Sequence, residues 1–595
     1  MELILKKNLK LLVLTPIKQT FGIKEKIFFL GYWCNAFSKQ KYFKNRNHQF
    51  FKHPYNLDEK KFSSDHKYLQ NLRSRLLKQL TLTLNDIHKL DYSEKEWNLI
   101  IGRWLHIYTS VLYDRWEILR SFFLKNTNKK YLVYLINNNN NKKVIKTLDF
   151  VENCLYSDLW NHQLFKKIIL FKYKKKLQIR NIKKINDESF CITSSRKDKN
   201  LYYYMILLFN KISFYLARFF LNFNRVIFDG YISKNAYLKF CFKFKILPFD
   251  VNSFFDLNNF NYSAKFKKIF LNNLKFSAKN QFETFLVSNI DIYFPEIFTR
   301  RFEGLRCSIM KFIVKKKIII SQIAFLFNDI YNIWLVEMLR KKSFFIPSHH
   351  GGSLITKNAI SYSRKDLSKH YIVWHKPLDK PDVQLSPLKL LERNITLKKT
   401  KKNCLIITAE LPRYYYVTPD TPVVENNIFD FLEIIKMINN LKSEVTNSII
   451  FRNSQNSDWG YENIAKQKLN NKIKFSTNNN IYGDFVDTKL AICAYPSTPF
   501  SESINLNIPS IFFFNKKTWN IHDKFKGLLN DMENENLFFY DADRASKHIN
   551  NIWDNVDVWW NKNSVQKVIK RCKEDFFRIN KDWLNEYNNF FNKFI

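Results

Sequence analysis

Glycine is scarce: ten residues in a chain of 595. A phosphate site here cannot be a glycine-rich loop and must use a few tight turns, each placed where the backbone needs one. No G-x-x-x-x-G-K-[ST], H-E-x-x-H or G-x-S-x-G string occurs. That sets aside a P-loop, a zincin helix and a nucleophile elbow. Eight cysteines lie scattered with no C-x-x-C among them, so neither a zinc ribbon nor a dithiol pair is indicated and reduced buried thiols are expected. Acid is short as well, with 53 Asp and Glu against 97 Lys and Arg, a net charge of +44. A long charge-free apolar run is also missing. The nearest, Leu201–Phe223, is interrupted by Asn210, Lys211 and Arg218, and reads as a buried or membrane-surface helix. Residues 1–17 carry lysines and no small-residue cleavage site, so no secretory signal is read there.

Hydrophobic residues make up 46% and aromatics 17%, which excludes a disordered polyelectrolyte. The length calls for at least two domains. The positive charge is spread along the chain and forms no stripe, so no nucleic-acid partner is expected. It fits A+T-rich coding, an anionic substrate or an anionic membrane surface. Phe165–Lys184 mixes lysines with Ile, Leu and Phe; it is a membrane-surface patch or a solvated face.

The first half is rich in helical periodicity, with leucines at 69, 72, 76, 80 and 84 and aromatics at 97, 104 and 108. After about residue 315 short apolar runs alternate with helices, the order of a doubly wound parallel sheet. The divisions drawn are 1–315, 316–560 and a helical tail at 561–595.

Leu490–Phe514 reads as strand, turn, helix and strand. Pro499 suits a first helical turn and Thr498 its N-cap. Ser497 and Thr498 at such a helix start make an anion site. Ser348-His349-His350-Gly351-Gly352 follows another buried strand, where glycines let a backbone approach a phosphate and His350 can donate to it. Arg452 ends the strand Ser448–Arg452, placed for a phosphate or simply exposed. Glu502 would accept from ribose hydroxyls or favour the helix N-terminus. Glu410, Arg413 and Tyr414–Tyr416 would wall a base. In the first half, His53, Asp58 and Glu59 share a loop and offer a general base. Asp114–Arg115 reads as a structural ion pair. Asp541-Ala542-Asp543 reads as a cap in preference to a cation site. No metal set is found at usual spacing.

A set of short strings then carries a resemblance. Phe29-Leu30-Gly31-Tyr32-Trp33-Cys34, His53-Pro54-Tyr55, Gly102-Arg103-Trp104-Leu105, Tyr113-Asp114-Arg115, His350-Gly351-Gly352, Leu411-Pro412-Arg413-Tyr414, Ser497-Thr498-Pro499-Phe500-x-Glu502 and Trp559-Trp560 occur in that order. Together they resemble the bacterial transferases of surface-carbohydrate and lipopolysaccharide assembly, which look like GT-B glycosyltransferases. The resemblance implies an α/β chain with two Rossmann-like domains facing across a cleft, the N-terminal one carrying large helical insertions. It implies a nucleotide-sugar donor as substrate, no cofactor and no metal, and a glycan or lipid-linked acceptor. The chain would work in the cytoplasm, in part at the inner membrane surface. His350, His349, Gly351, Gly352, Arg452, Ser497, Thr498 and Glu502 would hold the donor. Gly31, Tyr32 and Trp33 would lie on the acceptor side, with His53 or Asp58 as base. Such sequences carry an acid before the Trp-Cys pair; this chain has Tyr32 there, which adds weight to Asp58. A glycerophosphate-type phosphotransferase and a basic membrane- or nucleic-acid-binding protein are the alternatives.

Overall fold

Three parallel sheets succeed one another along the chain. The computed structural model describes residues 9–137, 143–185, 208, 212, 215–247, 273–351, 355–356, 367–393, 395–414, 423–453 and 459–594. The first sheet holds β1 (Lys10–Val13), β2 (Ile27–Phe29), β3 (His48–Phe50), β4 (Tyr131–Ile136) and β5 (Leu177–Ile182). Their order is β3-β2-β1-β4-β5. The inner strands Lys-Leu-Leu-Val and Tyr-Leu-Val-Tyr-Leu-Ile are almost wholly buried, as strands covered on both faces must be. Two long helices, Glu59–His88 and Glu94–Lys125, are inserted between β3 and β4. The second starts at a full capping box, Ser93 with Glu96.

The second sheet pairs β6 (Val226–Asp229), β7 (Ile318–Ser321) and β8 (Phe344–Pro347). A parallel bridge from Ser348 to Ile372 continues it to β9 (Tyr371–Val373) and β10 (Asp382–Gln384). The third holds β11 (Asn403–Thr408), β12 (Ile449–Asn453), β13 (Lys474–Phe475), β14 (Thr488–Cys493), β15 (Ser510–Phe513) and β16 (Phe538–Phe539). Its order, β13-β12-β11-β14-β15-β16, is the 3-2-1-4-5-6 arrangement of a doubly wound sheet.

The α/β class with parallel sheets and helical insertions is therefore the fold. The division at 315/316 is displaced. β6 and β7 pair in full register, Val226 with Ile318 through Asp229 with Ser321, so that division separates two hydrogen-bonded strands. The sheets divide the chain at 10–182, 226–384 and 403–539 instead.

Two features lock the units together. Asn563–Phe576 packs on the third unit beside the helix Thr498–Asn505. The last helix, Trp583–Phe591, then crosses to the second sheet, where Trp583, Tyr587, Phe590 and Phe591 are buried against Phe240, Ile346 and Ile372. Each such side chain contributes about 1.5–3 kcal/mol of burial. Glu586 anchors the crossing by accepting from the Ser386 hydroxyl (2.6 Å) and amide (3.0 Å). On the other side, Arg413 donates to the Trp33 carbonyl (2.6 Å) and to Asp158 (3.0 Å). The loop after β2 and the helix start at Asp158, between β4 and β5, thus meet the loop after β11.

Candidate functional site

The loop after β14 turns into the helix Thr498–Asn505. Its N-cap is Ser497, at φ −143°, and not Thr498, which is the first helical residue. Pro499 is thus the second helical residue, still within the first turn, where its missing N–H would have no helical partner. The Ser497 hydroxyl makes no capping bond and is half-buried, while Thr498 is buried.

The loop after β8 comes directly onto this helix start. A Cβ built on Gly351 would lie 2.6 Å from the Thr498 hydroxyl oxygen. Only a glycine permits that approach. The two turns that the sequence singled out separately, 147 residues apart, are thus one structure. Gly352 lies outside the described residues.

His350 precedes Gly351 on the β8 loop and is solvent-accessible. Surrounding protein, and then the positive charges of Lys389 and Arg103, pull its pKa below the ordinary value; a hydrogen bond to the Gln322 backbone works the other way. Neutral imidazole beside two cations is a setting that favours an anion. Lys389 Nζ sits 3.2 Å from Glu502 Oε1 and 5.5 Å from the Tyr231 ring. Arg103 comes from the Glu94–Lys125 helix of the first unit and lies over the Phe327 ring at 4.5 Å. His349 is buried against the rings of Tyr371 (4.9 Å) and His375 (5.3 Å), so it supports the loop from below.

Glu502 is buried and already occupied. Its Oε1 accepts from the Tyr482 hydroxyl (3.0 Å) as well as Lys389. It positions Lys389 where the sequence reading had it facing ribose. Arg452 is likewise committed elsewhere. It donates to Asp484 (2.7 Å), Ser476 (3.1 Å) and the Asn478 carbonyl (2.9 Å), which shapes the 476–484 loop that carries Tyr482. Glu410 accepts from Asn453 (2.9 Å) and the Gly460 amide (3.0 Å), and the Tyr414 hydroxyl donates to Asp158 (2.6 Å). These residues join elements and do not wall a ligand; Tyr415 and Tyr416 lie outside the described residues. Asp541 caps its helix, and Asp543 pairs with Lys436 at 2.7 Å. No group of three or more His, Cys, Asp or Glu among the described residues is placed to hold a metal ion.

On the first unit, His53 is buried with Nε2 3.0 Å from Asp114 Oδ1, and its Nδ1 accepts from the Tyr55 amide at 3.2 Å. Asp114 also binds Arg115 at 2.6 Å, and Arg115 reaches Asn161 at 3.0 Å. Burial pushes the Asp114 carboxyl up, but the charges of His53 and Arg115 outweigh it and hold the group below its ordinary value. Asp114 is thus a structural ion pair, with His53 as a second partner. Asp58 is exposed and caps Glu59–His88 by accepting from the Lys61 amide at 2.9 Å. It lines a hollow of about 50 Å³ with Tyr55, Val423, Lys517 and Thr518. A larger one of about 250 Å³ adjoins it, lined by Glu59, Lys516, Lys517 and Lys526.

Gly31 and Trp33 are packing residues. A Cβ on Gly31 would overlap the Trp33 indole at 1.9 Å; that indole donates to the Leu14 carbonyl (2.9 Å) and stacks on Phe165. Tyr32 lies between the units, against Phe50 (4.6 Å) and Phe429 (5.2 Å). Its phenol is pushed up by burial and by the charge of Glu425. Glu425 accepts at Oε1 from the His53 amide and Asn56, both at 2.8 Å, while its buried Oε2 has no hydrogen-bond partner. Sequence reasoning missed Glu425, Lys389 and Gln322. None sits in a recognisable string; only Arg103 lay inside a quoted motif.

The family model for LIC12162 family transferases matches residues 10–591. The chain belongs to that family. It is therefore a transferase, and the contact between the β8 and β14 loops belongs to a group-transfer enzyme. No curated protein matches. Among solved structures, trehalose-6-phosphate synthase OtsA is similar at 8% identity over 79% of this chain and 93% of that one, with a TM-score of 0.28. A likeness of that size carries no argument about this transferase.

Proposed function

We propose that this transferase moves a sugar from a nucleotide-activated donor to a cell-surface glycan or lipid-linked acceptor. The observation that supports it best is the contact of Gly351 with the start of the Thr498–Asn505 helix, beside His350, Lys389 and Arg103. A helix N-terminus at the carboxyl edge of a parallel strand, with Lys389 and the helix-borne Arg103 near His350, forms a place for a nucleotide phosphate. As the bond from sugar to phosphate breaks, negative charge grows on the departing phosphate. Lys389, Arg103 and the amides at Ser497 and Thr498 would stabilise it. His350 would donate a hydrogen bond, which its neutral state leaves it able to do through one nitrogen. The cations are supplied by side chains, so the reading includes no metal and no cofactor.

The acceptor would enter where the first unit meets the third. Its hydroxyl needs a base. Both nitrogens of His53 are engaged; Asp58 and Glu59, which line the smaller hollow, and Glu425 are carboxylates near this junction. A glycerophosphate-type phosphotransferase would use the same phosphate contacts. The proposed setting is the cytoplasmic side of the envelope, with the acceptor presented at the membrane surface. Among the described residues no helix is long and apolar enough to cross a membrane.

The test is a donor screen followed by His350→Ala. A ligand bound only by the folded state raises its apparent stability by about 2.7 kcal/mol at a hundredfold excess over Kd. A shift with one class of CMP-, UDP- or GDP-sugar, and transfer that His350→Ala abolishes in a folded protein, is the expected result. A shift with CDP-glycerol alone assigns the phosphotransferase. Undiminished transfer by His350→Ala removes the proposed role of His350.

A further inference from the structure

The helix at 215–223 that leads into β6 is apolar on two faces. Ala217 and Leu221 are buried in the main core. Tyr215, Leu216, Phe219 and Phe223 point outward, with Tyr215 82% exposed. Ile212, one turn earlier, is exposed as well. Their spacing of three and four residues makes one continuous stripe. A solvated helix ordinarily keeps that face polar.

A second exposed pair lies on the helix Lys234–Phe244, where Leu238 and Phe242 are four residues apart and Phe242 is 83% exposed. Ala236, Phe240 and Cys241 of this helix are buried in the smaller core on the second sheet. The two helices therefore pack on opposite faces of that sheet, on either side of its edge strand β6. Asn224 ties their ends: its side chain accepts from the Leu247 amide (2.7 Å) and donates to the Leu247 carbonyl (2.9 Å).

The charge along this segment is mostly positive, and Lys239 is paired with Glu392 at 2.8 Å. From 208 to 247 there are seven Lys and Arg (211, 218, 225, 234, 239, 243, 245) and one acid, Asp229. Asp229 is buried and accepts from the Ser321 hydroxyl (2.9 Å) and the Ala324 amide (2.7 Å). Arg218, Lys234, Lys243 and Lys245 are exposed. Outward aromatic and aliphatic side chains interspersed with cations match a bilayer interface, where rings enter the headgroup region and cations meet anionic lipid.

We infer that the outward face of the 215–223 helix, led by Tyr215, Leu216, Phe219 and Phe223, is a docking surface for an anionic lipid bilayer. The inference deepens the membrane-surface part of the function proposed above. It is separable from the donor site, because lipid binding needs no nucleotide-sugar.

The test is co-sedimentation of the full chain with vesicles of phosphatidylcholine alone and of phosphatidylcholine mixed with phosphatidylglycerol. Expected is binding to the mixed vesicles, weaker binding to the neutral ones, and partial loss with salt. Leu216→Ser/Phe219→Ser should weaken binding about tenfold or more, since two interfacial side chains are removed. Arg218→Glu should weaken binding to the mixed vesicles alone, and its single exposed site leaves folding intact. Unchanged melting temperatures show that the variants fold. Wild-type protein that sediments with neither vesicle, or variants that bind as the wild type does, would overturn the inference. So would a wild-type dimer in light scattering that Leu216→Ser/Phe219→Ser makes monomeric, which assigns the face to a second copy. Vesicle binding without any donor shift would leave the inference standing and the glycosyltransferase reading failed.

Discussion

One methyl group at Gly351 is the sharpest probe of the proposed donor site. The Cβ of Gly351→Ala would stand 2.6 Å from the Thr498 hydroxyl oxygen, while the next atom in its path, the Thr498 Cβ, is 4.0 Å away. Carbon and oxygen need nearly an ångström more, so the β8 loop must lift from the helix start. Overpacking of this kind costs about 1–3 kcal/mol. If the cost falls on donor binding, affinity drops about tenfold at its middle, since 1.4 kcal/mol is a factor of ten. Thr498→Ala removes the offending oxygen and leaves a Cβ at ordinary contact distance. By itself it loses a hydroxyl that can bind phosphate, worth about 0.5–1.5 kcal/mol. The double variant Gly351→Ala/Thr498→Ala should then bind no worse than Thr498→Ala alone. Titration calorimetry with the donor nucleotide reads all four proteins, and melting temperatures report the same cycle on the fold. A coupling of at least about 1 kcal/mol is expected for groups in contact. Additivity within about 0.5 kcal/mol, or a Gly351→Ala protein that binds like the wild type, would refute the contact.

Two further perturbations follow from the charges. Lys389→Met removes the cation nearest His350 and Glu502; the His350 pKa, followed by NMR, should rise, and donor affinity should fall about tenfold. An unmoved His350 titration would mean that Lys389 does not act on His350. Asp329, buried and bonded to the Thr147 amide at 2.7 Å, has its carboxyl pushed up to about 7 by burial. The folded chain keeps that proton where the unfolded chain has lost it, so this group's effect is to lower stability as pH rises from about 4 to 7, with no further change above. Asp329→Asn still accepts from Thr147 and cannot titrate. Its melting temperature relative to wild type should climb through that window and then level; a constant difference would contradict the assignment.

The local parts of this fold were legible because they are written locally. β14 is a continuous apolar run that ends in Tyr-Pro-Ser, and a strand buried on both faces has to look like that. Asp58, Ser93 and Asp541 each cap the helix they precede, again a local rule. Pairing is not written locally. β6 and β7 read as apolar strands, but nothing in Val-Ile-Phe-Asp says that its partner begins 92 residues later at Ile318. The same distance hides electrostatic partners. Arg452 does stand at a strand end beside the candidate site, as read, yet Asp484 lies 32 residues on and takes its guanidinium. Lys389 follows a short strand in Ser-Pro-Leu-Lys with no motif around it, and only the fold brings it to Glu502 and His350.

The make-up of the cluster around His350 supports the proposed site. Arg103 comes from the first unit, Gln322, His350, Gly351 and Lys389 from the second, and Thr498 with Glu502 from the third. Cations concentrated from separate units oppose one another, and a protein that gains only stability from its core has no reason to gather them. Here the one acid among them, Glu502, is buried under Lys389 and Tyr482, which positions the lysine without cancelling Arg103. His350 is left with its proton affinity lowered. A bound phosphate would reverse that balance, since its charge offsets both cations and raises the His350 pKa. The scarcity of glycine points the same way. With ten to place in the whole chain, one stands where the β8 loop touches the start of a helix and where any side chain would break the contact. On the proposed reading, this cluster is an anion site to which three units contribute.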